Sequence, residues 1–440
     1  MSKRFMSYYG LLPLFFVTTL SIGCAWSSGE AVNDQSPMDP RKIVITDLPN
    51  KPPEIPVGNS PNPKLRTDPE SFSTQGGSNG NSKFNNNSDV RVGGLVGDTA
   101  PEFVGISKWI NSQPLSMGLL RGKVVLVDFW TYTCVNCIRT FPYLKEWHGK
   151  YSDKGLIIIG VHTPEFDFEK VTDNVAESVR ANQLKWPVAQ DNDFNTWSAY
   201  GNRFWPAKYL IDEQGVVRYT HFGEGSYLET EEQIRFLLED SGVNLDGTEM
   251  GSDQSLTDPD SLYSQDLVEL YDNPITREIY GEFERNANPH GIYVAHAEYY
   301  EAPDQTLNYV DPGDHRNHYI YLHGLWINGI EKLKHARETD NYSDYIALNF
   351  FAANVNAVIE PEGGLPFDIL VTLDDRPLTD LEAGSDLILR GNRSFFTVDE
   401  PRMYEVVALP EVGDHELKLK VASADMAFFS FTFGAYPGGP

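Results

Sequence analysis

The stretch that most constrains the fold is Val124 to Pro142, V-V-L-V-D-F-W-T-Y-T-C-V-N-C-I-R-T-F-P. Val124-Val125-Leu126-Val127 has the length and β-branching of a buried strand. It runs into Asp128, Phe129 and Trp130, and then into Cys134-Val135-Asn136-Cys137. Beyond the cysteines, Ile138, Phe141, Leu144 and Trp147 recur at helical spacing. The pair therefore falls where a strand gives way to a helix. Free N–H groups and the positive dipole end at a helix start stabilise negative sulfur, which predicts Cys134 as a nucleophile near neutral pH. Cys137, about one turn on, can attack a mixed disulfide and release the product. The pattern is the minimum needed for thiol–disulfide exchange.

Other uses of C-x-x-C fit less well. A structural zinc site usually needs a second Cys/His pair, and the only remaining cysteine is Cys24. A haem attachment site would place histidine after the second cysteine, where Ile138 stands. A purely structural disulfide would close too small a loop to remove much unfolded-chain entropy.

V-D-F-W-x-x-x-C-x-x-C, with Pro142 eight positions past Cys134, resembles thioredoxin. The longer sequence is similar to the thioredoxin-like domain of DipZ-type proteins. The matching pieces are Trp130 to Pro142, Gly160-Val161-His162-Thr163-Pro164-Glu165-Phe166 and Tyr200 to Asp212, and the likeness runs from about Val96 to the C-terminus. The resemblance implies an α/β thioredoxin fold with Cys134 attacking and Cys137 resolving, the redox-active disulfide serving in place of any cofactor. It implies that Asp128 is the buried acid taking the proton of Cys137; desolvation at the end of an apolar strand should raise its pKa. It implies that Pro206 faces the cysteines after a cis peptide bond, with Trp205 before it shaping substrate choice. Trp130 would pack beside the cysteines at the substrate surface, and Glu165 would tune the thiols.

Lys3 and Arg4 precede an apolar stretch from Tyr8 to Ile22, a signal-peptide layout. Leu20-Ser21-Ile22-Gly23-Cys24 resembles the bacterial lipobox, which implies lipid attachment at Cys24 and an extracytoplasmic, membrane-anchored lipoprotein. The expected divisions are a signal peptide over 1–23, a disordered tether over 24–93, a redox domain over 94–245, an acidic linker over 246–275 and a β-domain over 276–440. The tether has no sustained apolar periodicity and carries runs such as Gly76-Gly77-Ser78-Asn79-Gly80, too polar to offset its ordering entropy.

Within the redox domain, strands are expected at Leu156–Val161, Val188–Gln190, Lys208–Asp212 and Val216–Phe222, with helices at Val171–Asn182, Thr196–Tyr200 and Glu229–Asp240. The C-terminal region reads as short strands, among them His318–Leu322, Tyr345–Phe351, Phe367–Leu373, Tyr404–Ala408, His415–Val421 and Ala427–Phe433. The last alternates, with Phe429, Phe431 and Phe433 on one side. This predicts an all-β sandwich of jelly-roll type, similar to a carbohydrate-binding module, with a glycan as candidate ligand. His315 and His318, with His290, His296 and His323 nearby, lack thiolates or an acid at fixed spacing, so no metal site is predicted.

Lys and Arg total 35 against 63 Asp and Glu, a net charge of −28, which argues against nucleic-acid binding. Longer DipZ-type proteins carry a polytopic membrane domain ahead of the redox part. Its absence from this sequence implies a separate CcdA/DsbD-type membrane electron donor. The expected activity is reduction of disulfide-containing envelope proteins or apocytochrome c. Two alternatives stand beside it. One is a peroxiredoxin-like peroxidase, for which Thr131 fits but Val127 replaces the expected proline. The other is a glycan-binding surface lipoprotein with a vestigial redox domain, against which the intact cysteine pair speaks.

Overall fold

The computed structural model describes residues 91–251, 275–286 and 291–435. The leader, Cys24, most of the tether, the linker over 252–274 and His290 lie outside the described residues.

The first domain is a mixed sheet with the order β1-β4-β3-β2-β5-β6. Its strands are β1 (Lys108–Ile110), β2 (Val124–Trp130), β3 (Leu156–His162), β4 (Val188–Gln190), β5 (Ala207–Ile211) and β6 (Val217–Phe222). Its helices are α1 (Val135–Tyr151), α2 (Thr172–Ala181), α3 (Asn195–Ala199) and α4 (Tyr227–Asp240). β2 lies at the centre, parallel to β3 and antiparallel to β5. All seven of its residues are buried, as expected of a strand covered on both faces. Alternation then sorts its side chains. Val125, Val127 and Phe129 enter one core with Tyr200 and Tyr209, while Val124, Leu126 and Trp130 enter the other with α1, α2 and α4. Asp128 shares the parity of Leu126 and Trp130, so it belongs to the α1 face, where Cys137 is buried. Gly160 on β3 is needed for this packing. A Cβ there would meet the indole nitrogens of Trp130 at 2.9 Å and Trp186 at 3.2 Å.

The expected helices and strands of this domain are present within a residue or two. β1 was not expected: Lys-Trp-Ile is too short to show alternation, and its pairing with β4 makes it a strand.

The second domain begins with β7 (Ile279–Tyr280) and the short helix α5 (Phe283–Asn286). Then follow β8 (Thr306–Tyr309), β9 (Ile320–Asn328), β10 (Leu333–His335), β11 (Asp344–Pro361), β12 (Phe367–Leu373), β13 (Ile388–Arg390), β14 (Arg393–Val398), β15 (Arg402–Val421) and β16 (Met426–Gly434). All pair antiparallel around one large apolar core. The two runs Tyr404–Ala408 and His415–Val421, which read as separate strands, are halves of β15. Along β11 the register passes from Ala352↔Gly413 to Asn354↔Ala408, so Leu409–Val412 form a bulge, with Leu409 still turned into the core. Pro410, with no N–H to donate, sits in that bulge.

A second bulge corrects the reading of β16. Ile359 pairs with Phe428 and Val358 with Ser430, so Phe429 is the extra residue. Phe428 and Phe431 therefore face the β-domain core. Phe429 turns toward the first domain, with its ring centroid 4.9 Å from Phe166 and 4.8 Å from Phe168. The domains also join where Tyr132 Oη donates to Pro401 O at 3.2 Å and Arg139 Nη2 reaches Asn354 Oδ1 at 3.5 Å.

Candidate active site

Cys134 is the N-cap of α1, and the Cys137 N–H donates to its Sγ at 3.2 Å. The cysteines are separate thiols, Cys137 donating to Cys134 Sγ at 2.6 Å. Cys137 is buried and Cys134 is half-buried as a residue. Cys134 belongs to the apolar cluster that also holds Tyr280, Met403 and Phe429 of the second domain. Burial pushes the Cys134 thiol well above the ordinary cysteine range, the neighbouring Cys137 thiol adds to this, and the charge of Glu165 adds a smaller push; the N–H of Cys137 opposes them. This corrects the expectation of a thiolate near neutral pH. The helix start does supply its N–H, but a sulfur packed at the domain junction loses more solvation than one hydrogen bond returns. Burial also raises Cys137, with the charge of Asp128 adding and that of Lys208 subtracting.

Asp128 lies in β2, directly opposite Lys208 of β5. Lys208 Nζ approaches Asp128 Oδ1 at 3.5 Å, and both side chains are buried. Burial pushes Asp128 up to about 6, Lys208 holding it back. Asp128 thus has the raised pKa expected of it. Lys208 was missed; facing Asp128 across two strands, it is invisible until their register is known.

The Trp205–Pro206 peptide is cis. Pro206 immediately precedes Ala207, which pairs with Phe129, so it sits at the cysteine end of the sheet. Trp205 is half-buried, its indole N–H donating to Thr163 O at 3.1 Å. Trp130 is 1% exposed, edge-on to Phe141 and His162, and therefore core rather than substrate surface. Its even-numbered place on β2 turns it under α1. Burial lowers His162 to about 3, so it is neutral at working pH.

Glu165 sits in the loop after β3, next to Phe166, which shares an apolar cluster with both cysteines. Its carboxylate accepts from Arg285 Nη1 at 2.6 Å and from Tyr280 Oη at 3.2 Å, both from the second domain. Glu169, which sequence reasoning passed over, ties the loops together. Its Oε1 accepts from Thr133 N at 3.2 Å and Thr133 Oγ1 at 2.7 Å, and its Oε2 from Glu165 N at 2.5 Å and Phe166 N at 3.0 Å. Glu169→Ala leaves four donors without their acceptor. We expect a loss of about 2 kcal/mol in urea unfolding, with slower disulfide exchange as the Thr133–Cys134 turn loosens. Unchanged stability and rate would remove this role.

In the second domain the histidines are engaged separately. His296 Nε2 accepts from Leu322 N at 2.8 Å, and His315 Nε2 lies 2.7 Å from Asp311 Oδ1. Tyr319 and Tyr321 are buried and Tyr345 stacks on His323, so these rings are already committed within the domain.

A thioredoxin sheet with two thiols at the start of α1, a buried acid under the second and a cis proline at the same end defines a two-cysteine redoxin. Residues 96–220 match the AhpC/TSA family, and residues 276–434 match the family described as thioredoxin like C-terminal domain. The chain is 32% identical over 143 residues to thiol-disulfide oxidoreductase ResA of Bacillus thuringiensis, covering 76% of that protein and 32% of this one. It is 34% identical over 339 residues, 76% of its own length, to protein DipZ of Mycobacterium tuberculosis, of which it spans 43%. It is 26% identical over 138 residues, 31% of its length, to thiol-disulfide oxidoreductase YkuV of Bacillus subtilis, covering 93% of it. The chain belongs to the thioredoxin-like thiol–disulfide oxidoreductase family, with the DipZ-type second domain attached.

Proposed function

We propose that this protein reduces disulfides outside the cytoplasm, tethered to a membrane through Cys24, on misoxidised envelope proteins or apocytochrome c. The observation that carries this reading is the Cys134/Cys137 pair at the start of α1, with Asp128 on the face beneath it. Deprotonated Cys134 attacks one sulfur of a substrate disulfide. The substrate S–S bond breaks, a Cys134–substrate S–S bond forms, and the departing thiolate takes up a proton. Cys137 then passes its proton to Asp128 and attacks Cys134 Sγ. The second substrate sulfur leaves as a thiolate and is protonated in turn. Two electrons have moved to the substrate, and a membrane dithiol donor of CcdA/DsbD type returns them.

A crevice of about 190 Å³ between α1, α2 and the start of β15 runs alongside, lined by Tyr132, Ile138, Asn174, Asn182, Arg402 and Met403. With Cys134 recessed at the junction, an extended chain reaches it more readily than a disulfide on a folded surface. A glycan bound by the second domain would bring substrates near the cell wall. The test is reduction of unfolded, disulfide-bonded apocytochrome c by the dithiol protein. One mole of substrate disulfide should disappear per mole of Cys134/Cys137 disulfide formed. No reduction by a protein whose two thiols titrate as free would overturn the reading.

The AhpC/TSA match favours a second reading, peroxide reduction at Cys134. Consumption of hydrogen peroxide faster than of disulfide would establish it.

A further inference from the structure

Arg285 sits on α5 of the second domain, yet its guanidinium lies in the redox site. Nη1 donates to Glu165 Oε1 at 2.6 Å, and Nε pairs with Glu282 Oε1 at 2.6 Å. The guanidinium lies 4.1 Å from the Tyr280 ring centre and 5.4 Å from that of Phe166. Its backbone is fixed as firmly. The next residue, Asn286, is buried; its Nδ2 donates to Tyr280 O at 2.9 Å and Glu282 O at 2.8 Å, and its Oδ1 accepts from Tyr293 N and Val294 N. Such a fork, within cation–π reach of two rings and held between two carboxyl groups, is preorganised in a way a lysine would not be.

Glu165 precedes Phe166, which shares an apolar cluster with Cys134, and its charge is one of the influences that raise that thiol. Left alone, it would oppose a thiolate there. We propose that Arg285 is a positioning residue of the redox site, clamping Glu165 and cancelling its charge beside Cys134, so that the two domains form one electrostatic site. The proposal rests on the redox reading above and assigns the second domain a part in it. Glu282 competes for the same guanidinium, but burial pushes it up to about 8, so near pH 7 Arg285 serves Glu165 first. Glu278 of the second domain also reaches Tyr280 and feels the charges of Glu165 and Arg285; on the first domain stand Cys137, with Asp128 and Lys208 beneath it, Glu169 behind Thr133 and neutral His162 behind Tyr132.

The test reads the thiolate fraction of Cys134 alone, in a Cys137→Ser background, from iodoacetamide alkylation rates between about pH 7 and 11. Arg285→Gln should raise the midpoint and slow alkylation at pH 7.5 about tenfold, because a midpoint higher by about one pH leaves roughly a tenth of the thiolate. Arg285→Lys should stay within about threefold, and Arg285→Gln with Glu165→Gln should recover the parent rate. If Arg285 were only a staple between domains, its loss would expose the thiol and alkylation would accelerate; that result overturns the proposal. So does an unchanged midpoint in a folded variant, or a double variant as slow as the single one. Because alkylation needs no substrate disulfide, these outcomes stay separate from failure of the reductase reading.

Discussion

Cys137→Ser is expected to accumulate a covalent adduct with its substrate, while Cys134→Ser accumulates none and loses at least about a thousandfold in rate. The asymmetry follows from position. Cys134 is the half-buried N-cap, while Cys137 is buried one turn along with its sulfur against that of Cys134. Without Cys137 the mixed disulfide has no internal attacker and persists until an outside thiol arrives. Non-reducing electrophoresis after acid quenching reads the adduct directly. Equal trapping by both variants would reverse or abolish the assigned order. The raised Cys134 thiol adds a pH signature. The first attack should keep accelerating through pH 8 rather than level off near neutrality, since only the thiolate is nucleophilic. A reaction already at its plateau at pH 7 would mean that a substrate or a domain opening resolvates the sulfur before attack.

The raised Cys134 thiol also marks where the sequence was legible and where it was not. Strand β2, helix α1 and the two cysteines could be read in order, because each depends on local pattern: an apolar run, a helical repeat, a C-x-x-C spacing. The cis proline and the buried acid Asp128 came from the resemblance to thioredoxin, with the apolar strand before Asp128 supporting its desolvation. What could not be read came from register or from the other domain. Lys208 meets Asp128 only across β2 and β5. Phe429 points at the first domain only because a bulge in β16 breaks the alternation that its sequence displays. The helix start does favour a Cys134 thiolate locally, but the sulfur belongs to an apolar cluster that draws in Tyr280, Met403 and Phe429 from far along the chain. Glu165 was visible as a candidate, while its partners Arg285 and Tyr280 lie more than a hundred residues along the chain.

Asp128→Asn should make the protein more stable and less active, and the two effects should separate by pH. The Asp128 carboxyl titrates at about 6 in the folded protein against an ordinary 3.8. Between those values the folded state binds the proton that the unfolded chain has released. The favourable contribution is therefore complete below about pH 4 and is lost as pH rises through 6. The difference between the two values corresponds to about 3 kcal/mol. Asparagine mimics the protonated acid at every pH, so urea unfolding should show a gain of about 3 kcal/mol at pH 8 and almost none at pH 3.5. Lys208 is already counted in that value: its charge and hydrogen bond hold Asp128 below where burial alone would put it. A variant destabilised at pH 8 would therefore show that the ionised carboxylate is the stable buried form. Activity should fall. With no carboxylate to accept the Cys137 proton, resolution of the mixed disulfide should slow by about a hundredfold, while the first attack by Cys134 is little changed. Stopped-flow measurement of the two steps tells them apart, and an unaltered resolution rate would leave Asp128 as packing for the β2–β5 pair rather than as a base.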